Sequence, residues 1–511
     1  MRILFAWLAP ALVCSGLSQQ VGAQVVLNEI HARNATGLTD EDGEFSDWIE
    51  LHNPGPGSLN LSGWYLTDDS ANLMKWKLPR ASIAARGYLL VFASSKNRAV
   101  VGKPLHTNFQ LDGDGEYLAL VRSDGRTVAS AFAPDFPEQR TDISWGRRGS
   151  ASGFAYFTRP SPGAVNGLGL SGLTDPAEIA FASGHYQTPF ATEIKTTTSG
   201  AAIHYTMDGG VPTESSNLYT GPIQITTTTA LRACAFKKDH VPSLIDTRTF
   251  IFVETVVRQP ARPNGFPSRW GNAPAVDYEM DPQIVKDPAY QQEVRKALRA
   301  LPTLSLVLDT ADMFGSRGIY SNPQSSGPSW ERSVSAELFG GQVPGFRIDC
   351  GLRVQGGASR SPQNSPKHSL SLRFRNRYGK GRLQYAMFAG SRVDEFDSLH
   401  LRAEYNNSWI HWSSSQRGRG MMIRDQWMRD SQIAMGHEDA GRGTYIHLYI
   451  NGLYWGVSVV QERQAAAHYA SWFGGGEDDY DARNGSAYVN GNSTAWNAMV
   501  GVVRSGNWTA T

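Results

Sequence analysis

The stretch TYIHLYINGLYWGVSVVQER at residues 444–463 decides how the largest part of this chain is read. Ile446, Leu448 and Ile450 alternate with Tyr445, His447 and Tyr449, the period of a strand that buries one face. Asn451-Gly452 follows, a dipeptide that accepts the positive backbone angles of a two-residue hairpin turn. The second strand then runs into a charged exit at Gln461, Glu462 and Arg463. Upstream, NSPKHSLSLRF at residues 364–374 sets a basic residue, Lys367, at the head of another strand.

Around this hairpin the chain is long. A length of 511 residues sets a prior of three or four domains. Hydrophobic residues at 41%, with 14 Trp and 21 Phe, are enough to fill several cores. Residues 1–23 read as a secretory signal: Arg2 is the positive region, ILFAWLAPALV the apolar one, and Val21-Gly22-Ala23 the small-residue cleavage site. The expected destination is therefore outside the cell or in the cell envelope. The apolar run, broken by Pro10, is shorter than the roughly 20 residues of a spanning helix. Removing Arg2 from the 48 basic residues leaves 47 against 47 acidic, and such neutrality argues against nucleic acid as a partner. Cys14 leaves with the signal, and Cys234 and Cys350 fall in different expected domains, which excludes a disulfide framework or a cysteine zinc cluster. The alternation in ALRACAF makes Cys234 a buried thiol.

Residues 24–166 show short strands separated by turn residues, the pattern of a β-sandwich. LNEI (27–30), SDWIELHN (46–53), LSGWYLTDD (61–69) and SPGAVN (161–166) resemble the lamin-tail domain, an immunoglobulin-like module. That resemblance places Trp48, Trp64 and Leu66 in its core. Residues 175–253 form a second β-domain. AAIHYTMDGGVPT, LYTGPIQI and TTTALRACAF resemble the carboxy-terminal β-sandwich of chitobiases and hexosaminidases, which implies a spacer or a carbohydrate or surface contact. Residues 257–288, rich in Pro and Gly, read as an extended linker. A helix follows, with Val294, Ala297, Leu298 and Leu301 on one face.

Residues 289–511 read as α+β, with a helix near MMIRDQWMRDSQIAMG that turns Ile423, Trp427, Ala434 and Met435 inward and ends at Gly436. GLRVQGGASR, SPKHSLSLRFRNRYGKGRLQYAMF, FDSLHLRAEYN, IRDQWMRD, YIHLYINGLYWGVSVVQER and FGGGEDDYD, in this order, resemble the CotH family of atypical protein kinases. The resemblance implies an incomplete kinase-like lobe behind two β-sandwiches, using ATP and Mg²⁺, with an exported or envelope protein as substrate. Phosphoryl transfer needs cations near the phosphates and carboxylates for the metal. Lys367 is then the phosphate contact, or else a solvated strand-start lysine. Arg360 sits at a Gly-rich bend whose amides are suited to phosphate, or to a tight turn. Asp425 is the helix-borne acid that pairs with the phosphate lysine, or a surface partner of Arg429 four residues on. Gln461 and Glu462 occupy the hinge that would meet adenine through its backbone.

No metal ligand is assigned. Glu477, Asp478, Asp479 and Asp481 miss the calcium-loop spacing and read as a solvated loop, DGDGE at 112–116 reads as a hairpin turn, and His437-Glu438-Asp439 as a loop. No Gly-x-Ser-x-Gly elbow, His-Glu-x-x-His helix or P-loop is present. The aspartates that CotH kinases use after the hinge have no counterpart here, so the chain is expected to be an inactive fragment of a phosphotransferase. The alternative is a non-catalytic extracellular binding scaffold.

Overall fold

The computed structural model describes residues 25–149, 151–269 and 276–506. The expected signal peptide at 1–23 lies outside them. The chain is mostly β and divides into two compact units, residues 1–169 and 170–511. Among the described residues no helix is long and apolar enough to cross a membrane.

The first unit is a sandwich of a six-stranded and a four-stranded sheet. The six-stranded sheet pairs Val26–His31 with Asp47–His52, and the latter with Tyr88–Ala93. Leu27, Ile30, Ile49, Leu51 and Leu66 are wholly buried between the sheets, Trp48 is wholly buried, and Trp64 packs half-buried against the core. The quoted words meet through buried acids. Glu29 accepts from the Ser161 amide at 3.2 Å and from the Ser144 hydroxyl, and Glu50 accepts from Asn28 at 2.7 Å and from the Gly163 amide. Asn28 also reaches Asn166 at 3.1 Å, so the closing SPGAVN segment is tied to the first strand. Burial outweighs these bonds and lifts Glu50 to about 7. DGDGE is a turn, Gly115 donating to Asp112 at 3.1 Å, but it joins two different sheets rather than closing a hairpin.

The second unit begins with a small β-domain. Its five-stranded sheet centres on Thr229–Phe236, flanked by Asp246–Ile251 and Ala202–Thr206. Cys234 is 3% exposed and unbridged, its thiol against Ser243. Among the described residues of 257–288 there is one helical turn, Pro282–Val285, and the segment packs down: Tyr278 is buried, and the Gln259 side chain donates to the Tyr278 carbonyl and accepts from the Tyr454 amide at 2.9 Å. In helix α1 (Gln291–Ala300) Leu298 is buried while Ala297 is exposed, and the Ala297 carbonyl faces His447 Nε2 at 2.8 Å.

The rest of this unit corrects the expected architecture. Strands β1 (Thr303–Val307), β2 (Arg332–Phe339), β3 (Phe346–Gln355), β4 (Ser369–Arg373), β5 (Ser398–Arg402), β6 (Gly443–Ile450) and β7 (Leu453–Glu462) close into a barrel in the order β1-β2-β3-β4-β5-β7-β6. The seam is the parallel pairing of β1 with β6, Thr303 opposite His447. The expected kinase-like lobe is not shown. Leu306, Ala336, Leu352, Leu370, Leu399 and Ile446 fill the interior, so residues at the alternate positions point outward.

The hairpin turn is as expected, with φ of 48° at Asn451 and 79° at Gly452. The Asn451 side chain also bridges the seam: its oxygen accepts from the Leu308 amide and its nitrogen donates to the Leu308 carbonyl, both at 2.9 Å. The outward face of β6 is buried too, since Tyr449 packs with Ile251, Val253 and Phe339. This packing joins the barrel to the small β-domain. On β2, Glu337 accepts from Ser183 Oγ at 2.6 Å and Thr249 Oγ1 at 2.9 Å.

Helix α2 (Arg424–Ala434) contradicts the expected inward set. Trp427 is 63% exposed and Met435 71%, Ile423 is also exposed, and Gln426 is the buried residue. The sheet beneath the helix is polar, so the helix docks through Gln426, Asp425 and Arg429 instead.

Candidate functional site

Lys367 precedes β4 and reaches across to β7, where its ammonium donates to the Val457 carbonyl at 3.0 Å. Gly456 makes this approach feasible: a Cβ there would stand 2.6 Å from Lys367 Nζ, and its φ of 105° suits glycine. Among the described residues no carboxylate pairs with this ammonium, and burial lowers its pKa to about 8. Lys367 lines a cleft of about 620 Å³ walled by Tyr278, Trp412, Tyr454 and Trp455, with Asp277, Glu279 and Arg417 also in the lining.

The Gly-rich bend opens elsewhere. Arg360 ends the short turn Ala358–Arg360 and donates to the Ser325 carbonyl at 3.3 Å. Gly356, Gly357 and Ser359 line a separate cavity of about 330 Å³ with Ser369, Arg402 and Tyr405. The expected phosphate cradle and the expected phosphate lysine therefore face different spaces.

Asp425 meets Gln461 rather than Lys367. Its carboxylate accepts from Gln461 Nε2 at 3.0 Å and pairs with Arg402 at 3.4 Å and Arg429 at 3.2 Å. Burial pushes this carboxyl up, but the Gln461 bond and the two arginines outweigh it and hold it below the usual range. Glu462 is buried and accepts from the Arg442 amide at 2.7 Å, beside Trp472. Both hinge residues are paired on two sides: Gln461 lies opposite His400 and Gly443, and Glu462 lies opposite Leu399 while its amide donates to the Arg442 carbonyl at 3.1 Å. Of the five residues read from sequence, the fold brings together Asp425 and Gln461, sets Lys367 and Arg360 in other spaces, and turns the side chain of Glu462, next to Gln461 in the strand, toward Arg442 and Trp472.

The sequence reading missed a cationic face on the outside of the barrel. Register puts Arg353, Ser371, His400 and Gln461 in one row across β3, β4, β5 and β7, with Arg402 and Arg373 in the rows on either side. Arg353 pairs with Glu331 at 2.6 Å and Arg463 with Asp397 at 3.7 Å. Burial, then Arg373, Arg463, Arg402 and Arg429, hold His400 down to about 3. The signal was there as Arg353 in GLRVQ, Arg373 in SLSLRF, and His400 and Arg402 in LHLRAE, each next to a core leucine.

Elsewhere, Asp40, Asp42 and Glu44 lie close enough to share a cation, but Lys96 occupies their centre at 2.6, 2.6 and 2.9 Å. The acidic run is exposed, with Glu477 paired to Arg382 at 2.8 Å and Asp479 accepting from the Gly476 amide at 2.7 Å.

Family comparison assigns two of these regions. The lamin tail domain matches residues 18–133, and the chitobiase/beta-hexosaminidase C-terminal domain matches residues 181–247. The chain therefore carries a lamin tail domain followed by a chitobiase-type C-terminal domain. Both matches lie outside the barrel, and they lend no support to a CotH assignment. No curated protein matches the chain.

Proposed function

We propose that this is an exported CotH-like protein whose barrel region binds ATP, in the service of phosphate transfer to Ser or Thr of an exported or envelope protein. The observation that carries the reading is Lys367, an ammonium without a carboxylate partner among the described residues, in a cleft walled by aromatic rings. The phosphate end of a nucleotide fits this lysine, and a purine fits the aromatic walls by stacking. Asp277 and Glu279 are the carboxylates in the lining that an accompanying Mg²⁺ would meet. The hinge does not fit adenine in the expected way, because the backbone at Gln461 and Glu462 is already paired. Nucleotide binding therefore falls to Lys367 and the aromatic walls, and no residue is assigned the part of catalytic base.

A second reading rests on that occupied hinge: a non-catalytic extracellular scaffold that presents two β-modules. The carbohydrate-related name of the second module supports a glycan or surface contact for it. Thermal unfolding of the purified chain with ATP and Mg²⁺ separates the two, because a ligand of the native state raises Tm. A rise that Lys367→Met abolishes supports the nucleotide site. An unchanged Tm at millimolar ATP sinks it in favour of the scaffold.

A further inference from the structure

The outer face of the barrel holds more positive charge than its own carboxylates balance. Glu331 is shared by Arg353, Arg375 and Arg377, Asp397 is taken by Arg463, Asp425 is divided between Arg402 and Arg429, and Glu404 also pairs with Arg402 at 3.4 Å, so that, counting Arg373, seven arginines face four carboxylates. Arg373, between them on β4, forms no ion pair among the described residues, and its Nε is buried without an acceptor. Two positions before it on the same face, Ser371 is 1% exposed and its hydroxyl is equally without a partner. Burial and the neighbouring Arg463, with Arg353 and Arg375, lower the Arg373 pKa to about 10 despite Asp397. A desolvated guanidinium beside other cations is costly unless an anion joins it. His400, kept neutral by burial and then by the same arginines, adds no charge and leaves a ring nitrogen for hydrogen bonding.

We infer that this face is a binding site for a tetrahedral oxyanion, a phosphoryl or sulfuryl group, held by Arg373 and the Ser371 hydroxyl and flanked by Arg353 and Arg463. Guanidinium donors match such oxygens in pairs, and a hydroxyl supplies the donor that arginine geometry leaves open. The site is lined by different residues from the Lys367 cleft and does not depend on the ATP reading. A free inorganic anion and the phosphate chain of a nucleotide share this chemistry, and competition distinguishes them.

The test is calorimetric titration of the purified chain with pyrophosphate, sulfate and ATP, without Mg²⁺, at constant ionic strength in chloride. Pyrophosphate is expected to bind one site, with affinity at least ten-fold weaker in Arg373→Gln and weakened in Ser371→Ala, but unchanged in Lys367→Met. Arg373→Gln is also expected to melt above wild type in chloride alone, because it removes an uncompensated buried charge. Displacement of pyrophosphate by ATP in Lys367→Met would name the nucleotide as the source of the group. No binding of either inorganic anion to wild type, or wild-type affinity in Arg373→Gln, overturns the inference. Should Arg373→Gln fail to fold, undiminished affinity in Ser371→Ala does the same.

Discussion

Glu337 makes the joint between the small β-domain and the barrel sensitive to pH. It points away from the barrel interior into the Ser183 and Thr249 hydroxyls and is 2% exposed. Burial, with Asp246 and Asp349 nearby, lifts it from 4.5 to about 7 against the two hydroxyl bonds. A carboxyl raised in this way binds its proton more tightly in the folded state than in the unfolded chain. Its contribution is complete below pH 4.5 and is lost as pH rises through about 7. At about 1.4 kcal/mol per pH unit, the interval is worth roughly 3 kcal/mol by pH 8. Glu337→Gln keeps the shape and an acceptor for one hydroxyl but cannot ionise. Urea unfolding of both proteins at pH 5 and pH 8, followed by tryptophan fluorescence, isolates the effect as a difference between slopes. The variant is expected to be the more stable at pH 8, by about 1 to 3 kcal/mol, with a smaller difference at pH 5. Equal pH dependence in the two proteins would refute the reasoning.

Two further outcomes follow from the barrel. Gly456→Ala places a methyl against the Lys367 ammonium at a positive φ and should cost about 3 kcal/mol in urea unfolding, part of it recovered in the double variant with Lys367→Met, where the charged hydrogen bond is already gone. Asn451→Ala removes both side-chain bonds to Leu308 and should cost about 2–3 kcal/mol, whereas Asn451→Gly keeps the turn geometry but not the bonds and isolates their share; a loss below about 0.5 kcal/mol in both would discount the clamp.

Local features were the legible ones. The Asn451-Gly452 turn, the strands on either side of it, the buried Cys234 and the lamin-tail words could be read because each is decided by neighbours in sequence. Closure of the barrel could not, because its seam joins strands whose clamp spans 143 residues and no local pattern marks a parallel partner. Helix α2 was misread for a related reason: the apolar periodicity of Ile423 and Trp427 says nothing of whether a polar sheet lies beneath the helix. At the candidate site, Asp425 and Gln461 stand out singly in the sequence, but the arginines around them lie on separate strands and no local pattern groups them. Only register shows that Arg353, Arg373 and Arg402 crowd one surface.

The seam between β1 and β6 also governs the order in which this region can assemble. The antiparallel pairs β2 with β3 and β3 with β4 join near neighbours and can zip up early, at small entropic cost. β1 must wait for β6 to complete its second edge. Until then the growing sheet has two open margins of unpaired amides, the condition under which strands recruit foreign partners. A chain halted or clipped before residue 443 should therefore self-associate, and the interval before closure is the time at which this protein most needs a chaperone.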